Sequence, residues 1–176
     1  MFLVIFVIEN RFVQGIRDGV PIALGYLSVS FAFGMMAASQ GLPLWASVVI
    51  SFTNLTSAGQ FAALGIIASA GSMLEMALSQ LIINLRYFLM SLSLTQKVDP
   101  KMNTLQRAVI AHGVTDEIFA VSTSRYEGVG FTYMIALMML PILGWTGGTF
   151  LGGAASSLLP LALRDALGIM IYGMFL

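Results

Sequence analysis

The chain lacks cysteine and carries very little charge. Without cysteine it forms no disulfide bond and no thiolate metal site, and cysteine usage gives no information on the redox state of its compartment. Charged residues make up only 9% of its 176 residues, whereas an ordinary soluble domain carries about 25%. Eight basic residues balance eight acidic ones, and a net charge of zero argues against nucleic acid or another strongly charged partner.

The motifs of nucleotide-using enzymes and of hydrolases are missing as well. The sequence contains no Walker-type phosphate-binding loop and no dinucleotide-binding fingerprint. No serine lies in a nucleophile elbow, and the single histidine, His112, has only Asp116 at metal-ligand spacing, which is too few ligands for zinc. We therefore expect no catalytic residue, no metal and no cofactor. An intramembrane hydrolase that uses His112 is the enzymatic alternative.

Apolar residues are what the chain has in abundance. Hydrophobic residues make up 58% of it, and the mean hydropathy is +0.91. Eighteen glycines and twelve methionines fit tightly packed, adaptable membrane helices. The composition predicts an all-α, polytopic integral membrane protein.

Five to six hydrophobic segments are expected, since a spanning helix needs about 20 apolar residues. Pro21 opens the first at a first-turn position, where a missing N–H does no harm. The second is interrupted, the last is broken around Pro160, and Trp45 and Trp145 suit interface anchors at segment ends. The segments are Gly19–Ala38, Leu44–Ala70, Leu74–Leu94, Leu105–Ser124, Val129–Trp145 and Thr146–Leu176, all in one transporter domain over residues 1–176.

Polar residues and glycine interrupt the second segment between Asn54 and Gln60. Such a break is typical of the discontinuous helices that form substrate sites in transporters, because hydrocarbon offers amide groups no partners. The alternative is a helix–helix contact, where small and polar residues let backbones approach closely.

The distribution of basic residues favours a broken or re-entrant second segment. Arg11 and Arg17 place the N-terminus in the cytoplasm under the positive-inside rule. The basic loop Thr95–Arg107 is then cytoplasmic only if the interrupted segment dips into the membrane and returns to the same face.

Charged and amide side chains also lie inside the third and fourth segments. Arg86, close to Asn84, cannot discard its charge, so it suits a carboxylate anchor, or it reaches the interface or a structural acid. His112 and Asp116 are four residues apart and share a face of a helix, with Glu117 about 100° round. These three groups suit a proton relay, a cation site or a contact to a substrate ammonium. The alternative is a polar face against a partner or the interface.

Four motifs make the chain resemble a known family. They are GVPIALGYLSVSFAFG at Gly19–Gly34, TSAGQF at Thr56–Phe61, INLRY at Ile83–Tyr87 and TDEIFA at Thr115–Ala120. Their order and spacing resemble the AzlC family, the large subunit of two-component branched-chain amino acid exporters. The chain departs from the family at Ala58-Gly59 and at Tyr87, and it stops at Leu176, where members continue with further hydrophobic segments.

The resemblance implies a secondary transporter that exports branched-chain amino acids across the bacterial inner membrane. Coupling to a proton or ion gradient is expected because the chain has no ATP site. A small AzlD-like membrane subunit is the implied partner, besides the amino acid and the lipid bilayer. The alternative function is a non-transporting scaffold whose polar residues only join helices. We predict substrate contacts from Asn54, Thr56, Ser57, Gln60, Phe61, Asn84 and Arg86, and coupling roles for His112, Asp116 and Glu117.

Overall fold

The chain is all-α over the residues that the structure describes. The computed structural model describes residues 2–125 and 128–156. Within these ranges the β-type contact is an isolated bridge between Val98 and Val129. The helices are α1 (Phe2–Ser39), α2 (Leu44–Thr53), α3 (Ala58–Ala68), α4 (Met73–Leu94), α5 (Thr104–Gly113), α6 (Asp116–Thr123) and α7 (Phe131–Ala155).

Among the described residues, three helical stretches are long and apolar enough to cross a membrane. They are Arg11–Ser39 within α1, the whole of α4 and the whole of α7, while α2 and α3 are apolar but shorter. The prediction of an all-α membrane protein is therefore confirmed. The third predicted segment is also confirmed, because it differs from α4 by a single residue at its start.

The predicted start of the first helix is wrong. α1 begins at Phe2, so Pro21 lies inside the helix and not in its first turn. In this longer helix Gly15 and Gly19 pack directly on α7. A Cβ added at either glycine would lie 2.6 Å from a backbone oxygen of α7. Proline inside a membrane helix is tolerated when neighbouring groups satisfy the freed carbonyl.

The predicted boundary after Trp145 is also wrong, because α7 runs through it without interruption. The glycines there form a packing surface and do not end the helix. A Cβ added at Gly148 would lie 2.5 Å from the Leu27 backbone oxygen, and one at Gly152 would overlap the backbone of Phe31 in α1. Pro160 lies outside the described residues.

The fourth predicted segment is two short helices and not one. α5 ends at Gly113 and α6 begins at Asp116, after Val114 and Thr115 in extended conformation. The Thr115 hydroxyl caps α6 by accepting from the Ile118 backbone N–H at 3.5 Å. His112 and Asp116 therefore lie on different helices, and the prediction that they share one helical face is wrong.

The interruption in the second segment is confirmed. α2 ends at Thr53 and α3 begins at Ala58, so the break is shorter than predicted and Gln60 belongs to the first turn of α3. Ser57, at the start of α3, has a φ of 48°, a region that side-chain-bearing residues rarely adopt. The return of this segment to the same membrane face stays a prediction.

The described chain divides into two compact units. Unit 1 comprises the chain up to Ala23 together with Asn84–Ile142, and unit 2 comprises Leu24–Ile83 together with the chain from Leu143. The prediction of one transporter domain stays a prediction. The buried core of unit 1 includes Ile118, Tyr133, Met134 and Leu137, and that of unit 2 contains Phe33, Ala37 and Leu64.

Candidate functional site

The break between α2 and α3 brings together the first five predicted substrate residues, all within unit 2. The backbone N–H of Asn54 donates to Ile50 at 2.8 Å and closes α2. Thr56 is buried, and its backbone oxygen accepts from Gly59 at 3.2 Å. Ser57 makes no side-chain cap on α3, and its buried Oγ has no hydrogen-bond partner among the described residues.

Gln60 belongs to a closed ring of buried hydrogen bonds in unit 2. Trp145 Nε1 donates to Gln60 Oε1 at 2.8 Å, and Gln60 Nε2 donates to Ser51 Oγ at 3.0 Å. Ser51 Oγ lies 2.7 Å from Thr149 Oγ1, which donates to the backbone oxygen of Trp145 at 3.1 Å. Since Thr149 has one hydroxyl proton, Ser51 is the donor to it. The ring joins α2, α3 and α7.

The backbone of the break is also held by α4. Gln80 Nε2 donates to the Gly59 carbonyl oxygen at 2.8 Å. A Cβ at Gly59 would lie 2.6 Å from the Thr56 methyl carbon and 2.8 Å from Gln80 Oε1. Close packing therefore requires glycine at position 59.

Phe61 takes part in the core of unit 2. Its ring meets Phe33 edge to face with centroids 5.4 Å apart, and it packs against the cluster around Leu64. Its position as a lining residue of an aliphatic substrate pocket stays a prediction.

Arg86 and Asp116 form an ion pair in unit 1. Arg86 Nη1 lies 2.7 Å from Asp116 Oδ2, and the side chains are 39% and 45% exposed, so the pair is accessible. Arg86 Nη2 lies 3.5 Å from the Tyr87 hydroxyl, and the guanidinium carbon is 5.1 Å from that ring's centroid. The buried Nε of Arg86 has no hydrogen-bond partner among the described residues.

The remaining predicted site residues also lie in unit 1. Asn84 is half-buried on α4, two residues before Arg86. His112 lies exposed in the last turn of α5, whereas Glu117 is exposed in the first turn of α6. Asp116 and Glu117 suit that position because carboxylates stabilise a helix N-terminus.

A second polar cluster in unit 1 was missed by the sequence-based predictions. The Tyr133 hydroxyl donates to Asp18 Oδ2 at 2.8 Å, and Arg125 Nη1 lies 3.5 Å from the same oxygen. The Arg125 guanidinium stacks 4.3 Å above the Tyr133 ring and donates to Gln14 Oε1 at 3.0 Å. Lys97 Nζ donates to the backbone oxygen of Arg125 at 2.9 Å.

Few sequence signals point to these additional contacts. Gln60 and Trp145 are 85 positions apart in the chain, and Ser51 and Thr149 are 98 apart. Only the four-residue spacing of Trp145 and Thr149 indicates a shared helical face. The α5–α6 break had a clear signal, because Thr115 followed by two acidic residues is typical of a helix start. In the described part of the chain, no three His, Cys, Asp or Glu side chains are grouped to hold a metal ion.

A family model described as "AzlC protein" matches residues 21–159. The chain belongs to the AzlC family. The resemblance seen in the four sequence motifs is thereby confirmed. The inner membrane protein YgaZ of Escherichia coli (strain K12) is 30% identical over 173 residues, a match that covers 94% of this chain and 70% of that protein. The name of that relative agrees with the membrane-spanning length and composition of α1, α4 and α7 in this chain.

Two further relatives are named only as membrane proteins. An "uncharacterized membrane protein" of Archaeoglobus fulgidus is 30% identical over 161 residues, covering 92% of this chain and 69% of its own length. Another, of Helicobacter pylori (strain J99), is 29% identical over 156 residues, covering 84% and 67%. No solved structure matches the chain.

Proposed function

We propose that this AzlC-family chain is a subunit of a secondary transporter that exports small apolar, branched-chain amino acids across the inner membrane. A small AzlD-like membrane subunit is its proposed partner. Family membership supports a transport component, and the interrupted apolar segment α2–α3 is the type of element that transporters use at substrate sites.

The Arg86–Asp116 pair is the observation that carries the proposal. A zwitterionic amino acid presents one carboxylate and one ammonium, and the pair offers one guanidinium and one carboxylate 2.7 Å apart. A substrate can replace the single internal contact by two, with its carboxylate on Arg86 and its ammonium on Asp116. After the exchange the site still contains equal numbers of positive and negative charges.

The geometry of Arg86 suits this exchange. Asp116 contacts the guanidinium through one nitrogen, Nη1, so the ion pair is not bidentate and leaves the Nε and Nη2 edge of the guanidinium for another carboxylate. The buried Nε needs an acceptor, and a carboxylate bound across Nε and Nη2 would supply it. Lysine cannot replace arginine here, because an ammonium has no such fork.

The other predicted site residues have narrower roles under this proposal. Asn54, Thr56 and Ser57, in the α2–α3 break of unit 2, remain predicted substrate contacts, and the Ser57 hydroxyl has no hydrogen-bond partner among the described residues. Asp116 is proposed to couple transport to a proton, because a protonated Asp116 carboxyl has no negative charge and no longer forms an ion pair with Arg86. His112 and Glu117 are proposed to supply the proton.

The scaffold alternative is favoured by one observation, the ring around Gln60. Both polar atoms of that amide are bonded within the chain, and Gln60 is 1% exposed. In this conformation Gln60 joins α3 to α2 and α7, which supports a packing role, and its contact with a substrate stays a prediction. In a scaffold, the Arg86–Asp116 pair would likewise only join helices and would bind no substrate. Substrate binding at this pair therefore distinguishes a transporter from a scaffold.

The test is leucine efflux from proteoliposomes that contain the full chain with its AzlD-like subunit. We expect Arg86→Gln and Arg86→Lys to lower efflux at least tenfold, and Asp116→Asn to lower it and to weaken its pH dependence. Arg17→Gln is the matched control, because Arg17 is an exposed arginine outside the pair. Wild-type vesicles without substrate-dependent flux would rule out the transporter and leave the scaffold.

A further inference from the structure

A partly open pocket lies in unit 1 between the end of α4, the α4–α5 loop and α5. Its volume is about 170 Å³. The lining side chains are mostly apolar and include buried members of the unit 1 core, each at most 8% exposed: Leu94, Val98, Met102, Ile110 and Val114. Protein cores contain few voids larger than a water molecule, so a pocket of this size among core residues suits a ligand.

The volume sets the size of the apolar group that fits. An apolar cavity of about 150 Å³ holds a benzene molecule, so this pocket accommodates an aliphatic group of about four to six carbons. A lipid acyl chain is too long for it, because each chain extends through about half of the 30 Å hydrocarbon core.

Arg107 is the charged residue among those that line the pocket. Its Nε donates at 3.2 Å to the backbone oxygen of Met102, itself a lining residue, so the guanidinium is held beside the pocket. Among the described residues no carboxylate pairs with it, and its terminal nitrogens make no other hydrogen bond there. Two other charged side chains of the α4–α5 loop are engaged elsewhere: Lys97 Nζ donates to the Arg125 backbone oxygen at 2.9 Å, and Asp99 Oδ1 accepts from the Lys101 backbone N–H at 2.9 Å.

We propose that this pocket binds a small aliphatic carboxylate, with the alkyl group among the apolar core residues and the carboxylate on the Arg107 guanidinium. The site uses none of the residues of the Arg86–Asp116 pair and does not depend on transport. The topology predicted from basic residues places the loop in the cytoplasm, so the ligand would enter from that side.

The experiment measures binding of 3-methylbutanoate and of acetate to the purified full chain in detergent by titration calorimetry. We expect 3-methylbutanoate to bind at least tenfold more tightly than acetate, because only its alkyl group fills the pocket. Arg107→Gln should weaken 3-methylbutanoate binding at least tenfold, and Ala111→Phe should abolish it, since Ala111 is an exposed residue of the pocket wall. Lys101→Gln is the matched control, because it removes an exposed positive charge of the neighbouring α4–α5 loop.

The variants distinguish a carboxylate site at Arg107 from binding at Arg86 and from a lipid site. Binding that is lost in Arg107→Gln and kept in Lys101→Gln supports the proposal, provided that both variants keep the wild-type unfolding temperature. If Ala111→Phe fails to fold, Arg107→Gln and the acetate comparison decide alone.

Three results would overturn the proposed carboxylate site: absence of 3-methylbutanoate binding, equal affinity for acetate, or loss of binding in Arg86→Gln with retention in Arg107→Gln. Displacement of bound 3-methylbutanoate by phosphatidylglycerol micelles, and not by butanoate, would overturn it in favour of a lipid site.

Discussion

Trp145 and Gln60 are joined by a buried hydrogen bond of 2.8 Å between the indole Nε1 and the amide Oε1. An indole nitrogen only donates, so this contact determines which end of the amide faces α7 and leaves Nε2 for Ser51. The ring that results satisfies each polar side chain in it. It gives the broken segment α2–α3 a defined attachment to α7.

Replacing Trp145 by phenylalanine should destabilise the protein by about 1–2 kcal/mol. The change keeps an aromatic ring beside Tyr26 but removes the donor, which leaves Gln60 Oε1 buried without a partner. Unfolding of the purified protein in mixed micelles, titrated with a denaturing detergent, measures the loss. Trp45→Phe is the control, because Trp45 is 71% exposed. Equal losses of unfolding free energy in the two variants would contradict a stabilising contribution of the hydrogen-bonded ring around Gln60.

The sequence predicts those features that depend on neighbouring residues. The extent of α4 follows from a continuous apolar run, and the α2–α3 break follows from polar residues and glycine within one segment. The α5–α6 break is local as well: the four-residue spacing of His112 and Asp116 fits a single helix, whereas the capping pattern at Thr115 indicates a new helix start, and the capping pattern is the signal that the structure follows.

Pairings between distant residues could not be predicted. Arg86 and Asp116 are both conspicuous charges in an apolar chain, yet their contact depends on where α6 begins relative to α4. Gln60 is polar in a membrane segment, which is compatible with a substrate ligand and with a packing contact. Only the positions of Ser51 and Trp145 show that its amide is already bonded.

The glycines of α7 differ sharply in what surrounds them, and this predicts opposite effects of alanine. Gly152→Ala should cost about 1–3 kcal/mol, because the added methyl group would overlap the Phe31 backbone in α1. Gly147→Ala should be neutral or stabilising by up to about 1 kcal/mol, since nothing lies within 4 Å of its Cβ position and alanine favours helix. Thermal unfolding midpoints of both variants check the difference, and a destabilising Gly147→Ala would disagree with this packing.

Ala70→Gly should stabilise the protein by about 0.5–1 kcal/mol. α3 ends with Gly71 N–H donating to Ile66 O at 2.8 Å and Ala70 N–H donating to Ile67 O at 3.1 Å, a Schellman motif. Ala70 has a φ of 52°, which costs alanine about 1–2 kcal/mol and glycine nothing, while glycine loses about 0.4–1 kcal/mol through its flexible unfolded state. Ala63→Gly, inside α3, should be destabilising instead, and the two unfolding midpoints should move in opposite directions.

Tyr133, Asp18 and Arg125 should behave as one energetic unit. Tyr133→Phe removes the donor to Asp18 Oδ2 and should cost about 1–2 kcal/mol, because the acceptor is a carboxylate and Tyr133 is buried. Arg125→Lys keeps the charge but loses the stacking on Tyr133 and the fork that reaches both Asp18 and Gln14.

The control for this cluster is Arg17→Lys, which changes an exposed arginine on the same helix as Asp18. In a double-mutant cycle, Tyr133→Phe with Asp18→Asn should lose less than the sum of the single changes, because both remove the same hydrogen bond. Additive losses would mean that the hydroxyl and the carboxylate contribute independently. Since the Asp18 and Arg125 side chains are 30% and 22% exposed, part of the ion-pair energy should disappear in high salt, whereas the hydrogen bond from Tyr133 should persist.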